Sequence, residues 1–359
     1  MKKIFIMFLI SFAFSSTPVL AKTIPVVKPK IPSAWKAIAP EGYTQITWAK
    51  APGIATFYKA PNGNGSMDFL TRIYLPQNNI GFIASSTTPL SWGEDNQSFA
   101  SEVTTQTYHN FAFQKIPAEL TKKSTSISQF IWNAPFFNIT NSISDLSMAL
   151  KSTNGTTTLI TSGSRPLSDM AQDRRMLIIN NKTGNAFIST FDSATFVSSS
   201  IGDQALEGFA PTVAKNDSAN GATGRLFLGV SPNNKELLVY CSKQASVQEA
   251  SDALLAAGVS VESQLEADGG GSAACGYNLP GQFFVEPTRT LPLLMGAMTI
   301  ISRGTATTKD LNVRSGPATK YPIVVKLSKG APVLAFEEKN GWLRIGEGQW
   351  VLKTLIKKS

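Results

Sequence analysis

Histidine is almost absent from this chain, whose 359 residues include only one, His109. A zinc site of the usual histidine-rich kind therefore cannot form, and a Ser-His-Asp or Cys-His relay would have to use that one imidazole. Charged residues are also scarce, at 16% of the chain against 42% hydrophobic residues. Together with many Thr, Ser, Val, Ile and Phe residues, this composition indicates a β-rich globular protein rather than a disordered or coiled-coil one.

Long hydrophobic runs are missing as well, since the longest apolar stretches are too short to span a bilayer comfortably. Residues 1–21 combine Lys2 and Lys3 with an apolar stretch and a Val-Leu-Ala ending, the pattern of a secretory signal peptide. We therefore predict a secreted or periplasmic protein that is associated with the cell envelope. The mature chain is expected to have no transmembrane segment.

Cysteine is limited to Cys241 and Cys275. An even pair in an exported chain favours a disulfide over two free thiols, and the two residues flank only a predicted helix and strand. A catalytic thiol would need a nearby base, and the local sequence supplies none. The sequence therefore predicts a structural disulfide.

Acidic residues are outnumbered, because 33 Lys and Arg stand against 24 Asp and Glu, giving a formal net charge of +9. Most of the excess lies in residues 306–359, where ten basic residues accompany four acidic ones. In an exported chain, this segment is predicted to bind peptidoglycan or another anionic envelope polymer rather than nucleic acid. A basic surface that serves only solubility is the alternative.

The pattern along the chain divides it into four parts. Residues 22–65 follow the signal as an N-terminal linker or extension that begins rich in proline and lysine. Residues 66–302 contain short alternating runs bounded by Asn, Gly and Pro, which predict strands and hairpins. Residues 306–359 contain a second, smaller set of strands with an Asn-Gly turn, which predicts a small β-barrel. The predicted fold class is therefore α+β, with a β-rich main domain.

The clearest helix is predicted over residues 247–257. Ser246 and Glu249 have the spacing of a capping box, and Gly258 stands where a helix stop favours a left-handed residue. A half-buried strand over residues 259–267 is predicted next, from its alternation of apolar and polar residues. This strand would deliver Asp268 directly into three glycines and a serine.

The C-terminal part resembles the bacterial SH3-like (SH3b) domain. The likeness runs from L-N-V-R-S-G-P at 311–317 through N-G-W at 340–342 to W-V at 350–351. Because such domains commonly tether exported enzymes to the cell wall, the resemblance implies binding and no catalysis.

The middle part is similar to the phosphodiester glycosidase family, whose animal relatives remove N-acetylglucosamine from a sugar phosphodiester. Four pieces carry the likeness in order: N-A-P-F-F at 133–137, G-R-L-F-L-G-V at 224–230, helix 247–257 followed by D-G-G-G-S at 268–272, and R-T-L-P at 289–292. The resemblance implies an exported hydrolase that cleaves a glycosyl phosphodiester in an envelope or exopolysaccharide glycan. A non-catalytic envelope glycan-binding protein on the same scaffold is the alternative.

Such a substrate needs a carboxylate near the anomeric carbon and donors around the phosphate. Asp268 is the predicted catalytic carboxylate. Gly269, Gly270 and Gly271 are predicted phosphate donors, because consecutive backbone N–H groups in a turn form an anion-binding nest, and Ser272 adds a hydroxyl.

Two arginines and an asparagine complete the predicted site. Arg225 is the leading phosphate anchor, Arg289 is a second substrate-binding arginine, and Asn133 contacts a sugar hydroxyl or orients Asp268. No cofactor or metal site is predicted. A divalent cation held between Asp268 and a phosphate remains open.

Each of these residues also has an ordinary structural interpretation. The glycines could form only a turn, Arg225 could be a surface ion-pair partner, and Asn133 could hold a loop. Phe136 and Phe137 are predicted core residues, with stacking on a sugar ring as the alternative. Glu266 is predicted to point to the opposite face from Asp268.

Overall fold

A computed structural model describes residues 35–47, 51–61, 65–84, 98–100, 130–140, 143–154, 157–161, 163, 173–198, 200–211, 221–277, 283–289, 291, 293–346 and 349–358. The predicted signal peptide at 1–21, the first part of the N-terminal extension and His109 lie outside the described residues.

The described residues before residue 302 form mostly strands. They are β1 (Thr44–Gln45), β2 (Ile54–Lys59), β3 (Asp68–Tyr74), β4 (Asn78–Ala84), β5 (Ser98–Ala100), β6 (Phe130–Trp132), β7 (Phe137–Thr140), β8 (Ile143–Leu146), β9 (Leu150–Asn154), β10 (Thr157–Thr161), β11 (Arg174–Asn180), β12 (Asn185–Thr190), β13 (Gln204–Phe209), β14 (Thr223–Val230), β15 (Glu236–Ala245), β16 (Gln264–Ala267), β17 (Cys275–Tyr277), β18 (Phe283–Val285) and β19 (Leu293–Thr299). The helices described there are α1 (Ser193–Val197) and α2 (Val247–Ala256), with 3₁₀ turns at Leu75–Gln77, Val261–Ser263 and Gly270–Ser272.

Two antiparallel sheets enclose the main core. The first has eleven strands, in the order β1-β2-β3-β15-β14-β16-β13-β11-β12, with β9 pairing both β13 and β10; the second has the order β18-β17-β6-β19-β4. Leu226 and Leu228 of β14 contribute to one buried cluster with Trp132 of β6 and Met295 of β19. Because alternate residues of a strand point to opposite faces, Phe227 packs instead in a cluster on the other face of the first sheet.

Helix α2 covers that other face. Its apolar residues Ala250 and Leu254 join the same cluster as Phe227. The predicted capping box is confirmed: the Ser246 hydroxyl accepts from the Glu249 amide at 3.1 Å, and the Glu249 carboxylate accepts from the Ser246 amide at 2.7 Å. Such a cap contributes about 1 kcal/mol to stability. The hairpins β11–β12 and β14–β15, with turns at residues 181–184 and 231–234, are of the kind that the short alternating runs predict.

The strand predicted over residues 259–267 is only partly formed. Val261–Ser263 is a 3₁₀ turn, and β16 begins at Gln264. The reason lies in the buried Gln264 amide, which accepts from the Ser251 hydroxyl at 2.7 Å and donates to the Val259 carbonyl at 3.2 Å. These bonds hold residues 259–263 against α2, so that strand pairing begins only at Gln264.

The predicted disulfide is not formed. Cys241 of β15 and Cys275 of β17 are free thiols, both fully buried, on strands of two different sheets. Burial, followed by hydrogen bonding to Cys275, raises the pKa of the Cys241 thiol well above its usual value. Both thiols are packed core groups.

The C-terminal part forms two further sheets. Its strands are β20 (Ser302–Ala306), β21 (Leu311–Arg314), β22 (Ile323–Leu327), β23 (Pro332–Ala335), β24 (Glu337–Lys339), β25 (Trp342–Gly346), β26 (Gln349–Leu352) and β27 (Ile356–Lys358), with a 3₁₀ turn at Lys353–Leu355. The strand orders are β23-β20-β27 and β22-β21-β26-β25-β24. Neither sheet closes on itself through the described strands, so the predicted closed barrel is not confirmed. The described chain is β-rich with few helices, which is the part of the predicted fold class that the structure bears out.

Arg303 links the C-terminal sheets to the larger part. Its guanidinium donates to the backbone carbonyls of Leu75 at 3.3 Å, Pro76 at 3.1 Å and Asn181 at 2.7 Å. Burial lowers the pKa of Arg303 from its usual value.

Candidate functional site

Asp268 follows directly after β16, where that strand leaves the first sheet. The backbone amide of Asp268 donates to the Ala134 carbonyl at 3.0 Å, which ties this point to the end of β6. Its side chain is only 9% exposed. The predicted catalytic carboxyl group is therefore placed at a junction of two sheets and is almost removed from water.

Asn133 orients this carboxyl group. The Asn133 side chain donates from Nδ2 to Asp268 Oδ2 at 3.3 Å and to the Asp268 carbonyl at 3.4 Å. Its backbone amide donates to the Ala274 carbonyl at 3.0 Å, so both ends of the residue are fixed. Asn133 is fully buried, and its Oδ1 atom has no hydrogen-bond partner among the described residues.

Arg289 covers the outer side of the same carboxyl group. Its Nε donates to the Ser272 hydroxyl at 2.6 Å, and its Nη2 lies 3.9 Å from Asp268 Oδ2. The guanidinium carbon is 4.8 Å from the ring centroid of Phe137. Since the Arg289 side chain is 43% exposed, it is the accessible cation of this group. We call Asn133, Asp268, Ser272 and Arg289 the Asp268 cluster.

The environment raises the pKa of Asp268 to about 6. Burial is the largest cause; the Ser272 hydrogen bond, the Arg289 charge, the Asn133 hydrogen bond and the Gly269 amide each act in the opposite direction. A carboxyl group of this pKa is mostly ionised at neutral pH yet accepts a proton readily. General acid or base catalysis needs this property.

The glycines after Asp268 are required by close backbone packing. A Cβ atom at Gly269 would lie 2.5 Å from the Gly224 carbonyl oxygen, and one at Gly224 would lie 2.1 Å from the Gly270 oxygen. Gly270 also has φ +59°, which L side chains rarely adopt. The sequence analysis did not assign this role to Gly224, although Gly224 is the first residue of the G-R-L-F-L-G-V motif at 224–230.

A cavity of about 220 Å³ lies against the same turn. Its lining consists of Ala222, Thr223, Gly224, Lys243, Gln244, Gly270, Gly271, Ala273, Val285, Glu286 and Thr288. The Thr288 amide donates to the Gly271 carbonyl at 2.8 Å, which fixes the segment that carries Arg289. Gly271 and Thr288 line the cavity while their chain neighbours Ser272 and Arg289 belong to the Asp268 cluster. The cavity and the cluster therefore share one turn.

Arg225 lies in a different set of contacts. It donates from Nη1 to Glu266 Oε1 at 2.7 Å, from Nε to the Ala245 carbonyl at 3.2 Å and from Nη2 to the Gly221 carbonyl at 3.1 Å. Phe227 pairs with Glu266 across β14 and β16, and Arg225 lies two residues before Phe227, on the same face. The structure brings Asn133, Ser272 and Arg289 to Asp268, and it brings Arg225 to Glu266. Strand alternation alone would put Glu266 and Asp268, two residues apart, on the same face; they part because β16 ends at Ala267 and Asp268 lies beyond the strand.

Metal-binding groups are not evident in the described ranges, which contain no cluster of three or more His, Cys, Asp or Glu side chains suited to a metal ion. The helices within the described part of the chain all fall short of the length and apolar character needed to cross a membrane.

Comparison with known proteins identifies the C-terminal part. Residues 309–357 match the bacterial SH3 domain family. This confirms the resemblance seen in the sequence. No curated protein gives a significant match to the chain.

Two solved structures share a distant overall similarity with the chain. One is a hypothetical protein from Synechocystis, with 14% identity, a TM-score of 0.39 and coverage of 72% of this chain. The chain spans 64% of that protein's length. The other is the zebrafish N-acetylglucosamine-1-phosphodiester alpha-N-acetylglucosaminidase catalytic domain, auto-inhibited by its pro-peptide, with 10% identity, a TM-score of 0.42 and coverage of 72% of this chain and 87% of that one.

Proposed function

We propose that this protein is an exported hydrolase that cleaves a glycosyl phosphodiester in an envelope or exopolysaccharide glycan. In this proposal, residues 1–21 are the signal peptide, residues 66–302 form the catalytic domain, and the bacterial SH3 domain binds peptidoglycan or another anionic envelope polymer. The observation that carries the proposal is the Asp268 cluster, in which a buried carboxyl group lies beside an exposed arginine.

The two charged groups of the cluster fit the two ends of the bond to be broken. The Asp268 carboxylate stabilises positive charge that develops at the anomeric carbon. Arg289 binds the phosphate, because its outer nitrogens are accessible while Nε remains on Ser272. Water supplies a hydroxyl group to the sugar, the bond from the anomeric carbon to the phosphate oxygen breaks, and the remaining proton ends on the phosphate product.

A strong general acid is not required, since a phosphate monoester is already a good leaving group. Positioning and charge stabilisation then account for most of the rate. The rest of the substrate is proposed to occupy the neighbouring cavity, where Lys243, Thr223 and Thr288 offer donors and the backbone of Gly270 and Gly271 is open to a ligand. The earlier prediction that Arg225 anchors the phosphate stays a prediction, and its contacts with Glu266 favour Arg289 for this task.

The test compares wild type with Asp268→Asn on a panel of glycosyl phosphodiesters. We expect sugar release by the wild type and none above background by the variant, at unchanged folding by circular dichroism. Asp252→Asn, on the exposed side of α2, is the matched control and should retain wild-type activity. Equal release by wild type and Asp268→Asn would refute the catalytic assignment.

Glycan binding without turnover is the second candidate. It is favoured by the burial of the cluster, because Asn133 and Ser272 are fully buried and only Arg289 has substantial exposure. Saturable glycan binding with no product after long incubation would support this function, and measurable turnover would eliminate it.

A further inference from the structure

The polar contacts of Arg289 do not by themselves fix the position of its guanidinium. Its guanidinium makes one short hydrogen bond, from Nε to Ser272, and its distance of 3.9 Å to Asp268 exceeds hydrogen-bond length. A side chain that is 43% exposed and flexible along its stem can rotate outward about that one bond. A third contact is therefore needed to keep its outer nitrogens beside the carboxyl group.

Phe137 supplies this contact. Its ring lies under the Arg289 guanidinium, with 4.8 Å between the guanidinium carbon and the ring centroid. The face of an aromatic ring attracts a cation at this separation. Phe137 is only 5% exposed and begins β7, where it pairs with Leu146 of β8, so the ring is a fixed platform.

The neighbouring phenylalanine has a different task. The ring of Phe136 meets the ring of Phe209 edge to face, at a centroid distance of 5.3 Å. Phe137 is buried, as predicted for a core residue, and Phe136 is partly buried. The two adjacent rings thus have different partners. This difference makes Phe136 a matched control for Phe137.

We propose that Phe137 is a positioning residue whose ring face holds the Arg289 guanidinium beside the Asp268 carboxyl group. The consequence for phosphate binding rests on the proposed function, whereas the position of Arg289 does not. In a phosphodiester hydrolase, this platform would make substrate binding depend on an aromatic ring that never contacts the reacting atoms.

The test measures the pKa of Asp268 by carbon-detected NMR titration of its carboxyl group. Arg289→Gln removes the positive charge and should raise that pKa by about one unit, the lower end of the effect of a nearby opposite charge. Phe137→Leu should give most of the same rise, because the guanidinium moves away, and the double variant should show no further rise. Phe136→Leu should leave the pKa of Asp268 unchanged, and Phe137→Tyr should keep the wild-type value.

Fluorinated phenylalanines at position 137 provide a second test that keeps the shape of the ring and therefore the fold. Successive fluorine atoms weaken the negative face of the ring while keeping its shape, so the pKa of Asp268 should rise stepwise with fluorination. An unchanged or lowered pKa in Phe137→Leu, or a flat fluorine series, would overturn the proposal. These readouts need no turnover, so an inactive wild type would contradict the hydrolase proposal and leave the role of Phe137 to be decided by the titration.

Discussion

The burial of Asp268 makes a quantitative prediction about stability. Its pKa is raised from 3.8 to about 6, chiefly because burial disfavours the ionised form. A difference of about two units corresponds to about 3 kcal/mol at pH 7, at about 1.4 kcal/mol for each unit. Because the folded pKa lies above the unfolded one, the ionised group opposes folding at neutral pH. This penalty is relieved as the pH falls through about 6 towards 4.

Asp268→Asn should therefore stabilise the protein at pH 7. Asparagine has the same shape and no charge, so it avoids the desolvation penalty, although it weakens the interactions with Arg289 and Ser272 that favour the carboxylate. We expect a net gain of about 1 to 2 kcal/mol at pH 7 and little or none at pH 4. A stabilising change that abolishes activity is a common property of active-site residues.

Urea unfolding at several pH values between 4 and 8 measures this effect. The free energies of unfolding of wild type and Asp268→Asn should be close at pH 4, separate between about pH 4 and 6, and keep a constant difference above pH 6, at equal dependence on urea concentration. Asp252→Asn should run parallel to the wild type, because that side chain is exposed. A difference in the free energy of unfolding between Asp268→Asn and wild type that stays the same from pH 4 to pH 8 would refute the reasoning. So would a loss of stability at pH 7 that persists at pH 4.

Three further predictions address the arginines, the thiols and the C-terminal domain. Arg289→Gln should lower sugar release about 100-fold, as the loss of an anion-stabilising donor does in other enzymes. Arg225→Gln should mainly lower the melting temperature. If activity and thermal-melt assays give the reverse pattern, Arg225 is the phosphate anchor. Cys241 and Cys275 should react with a thiol reagent only in denaturant, and two titratable thiols in unreduced, denatured protein are expected; none would mean a disulfide. Deleting residues 306–359 should abolish co-sedimentation with isolated cell wall, and pelleting equal to that of the intact protein would contradict the tether.

Local signals predicted much of the fold. The β14–β15 hairpin follows from alternation on either side of a turn, and α2 follows from a capping box whose two bonds form between residues three apart. The placement of Asp268 at a strand end also follows from local pattern, since β16 ends at Ala267. Each of these features depends on residues that are close in the sequence, so a single sequence is enough to predict it.

Local sequence patterns could not predict the contacts between segments that are distant in the chain. The Asp268 cluster joins residues 133, 268 and 289, and the packing of their sheets decides which arginine reaches the carboxyl group. The motif contained two arginines, and nothing in the order of residues ranked Arg289 above Arg225. The disulfide prediction was wrong: Cys241 and Cys275 come from different sheets and meet in the core as free thiols. The burial of Phe137 was predictable, and its contact with Arg289 was not.

The two arginines differ in what each would have to give up to bind a phosphate. Arg225 would break its ion pair with Glu266, whose side chains are 12% and 14% exposed, and breaking a partly buried ion pair is costly. Arg289 would keep its bond to Ser272 and its contact with Phe137, because its side chain is already 43% exposed beside Asp268. A phosphate at that position would also place its leaving oxygen close to the carboxyl group. This difference is the reason for proposing Arg289, and not Arg225, as the phosphate anchor.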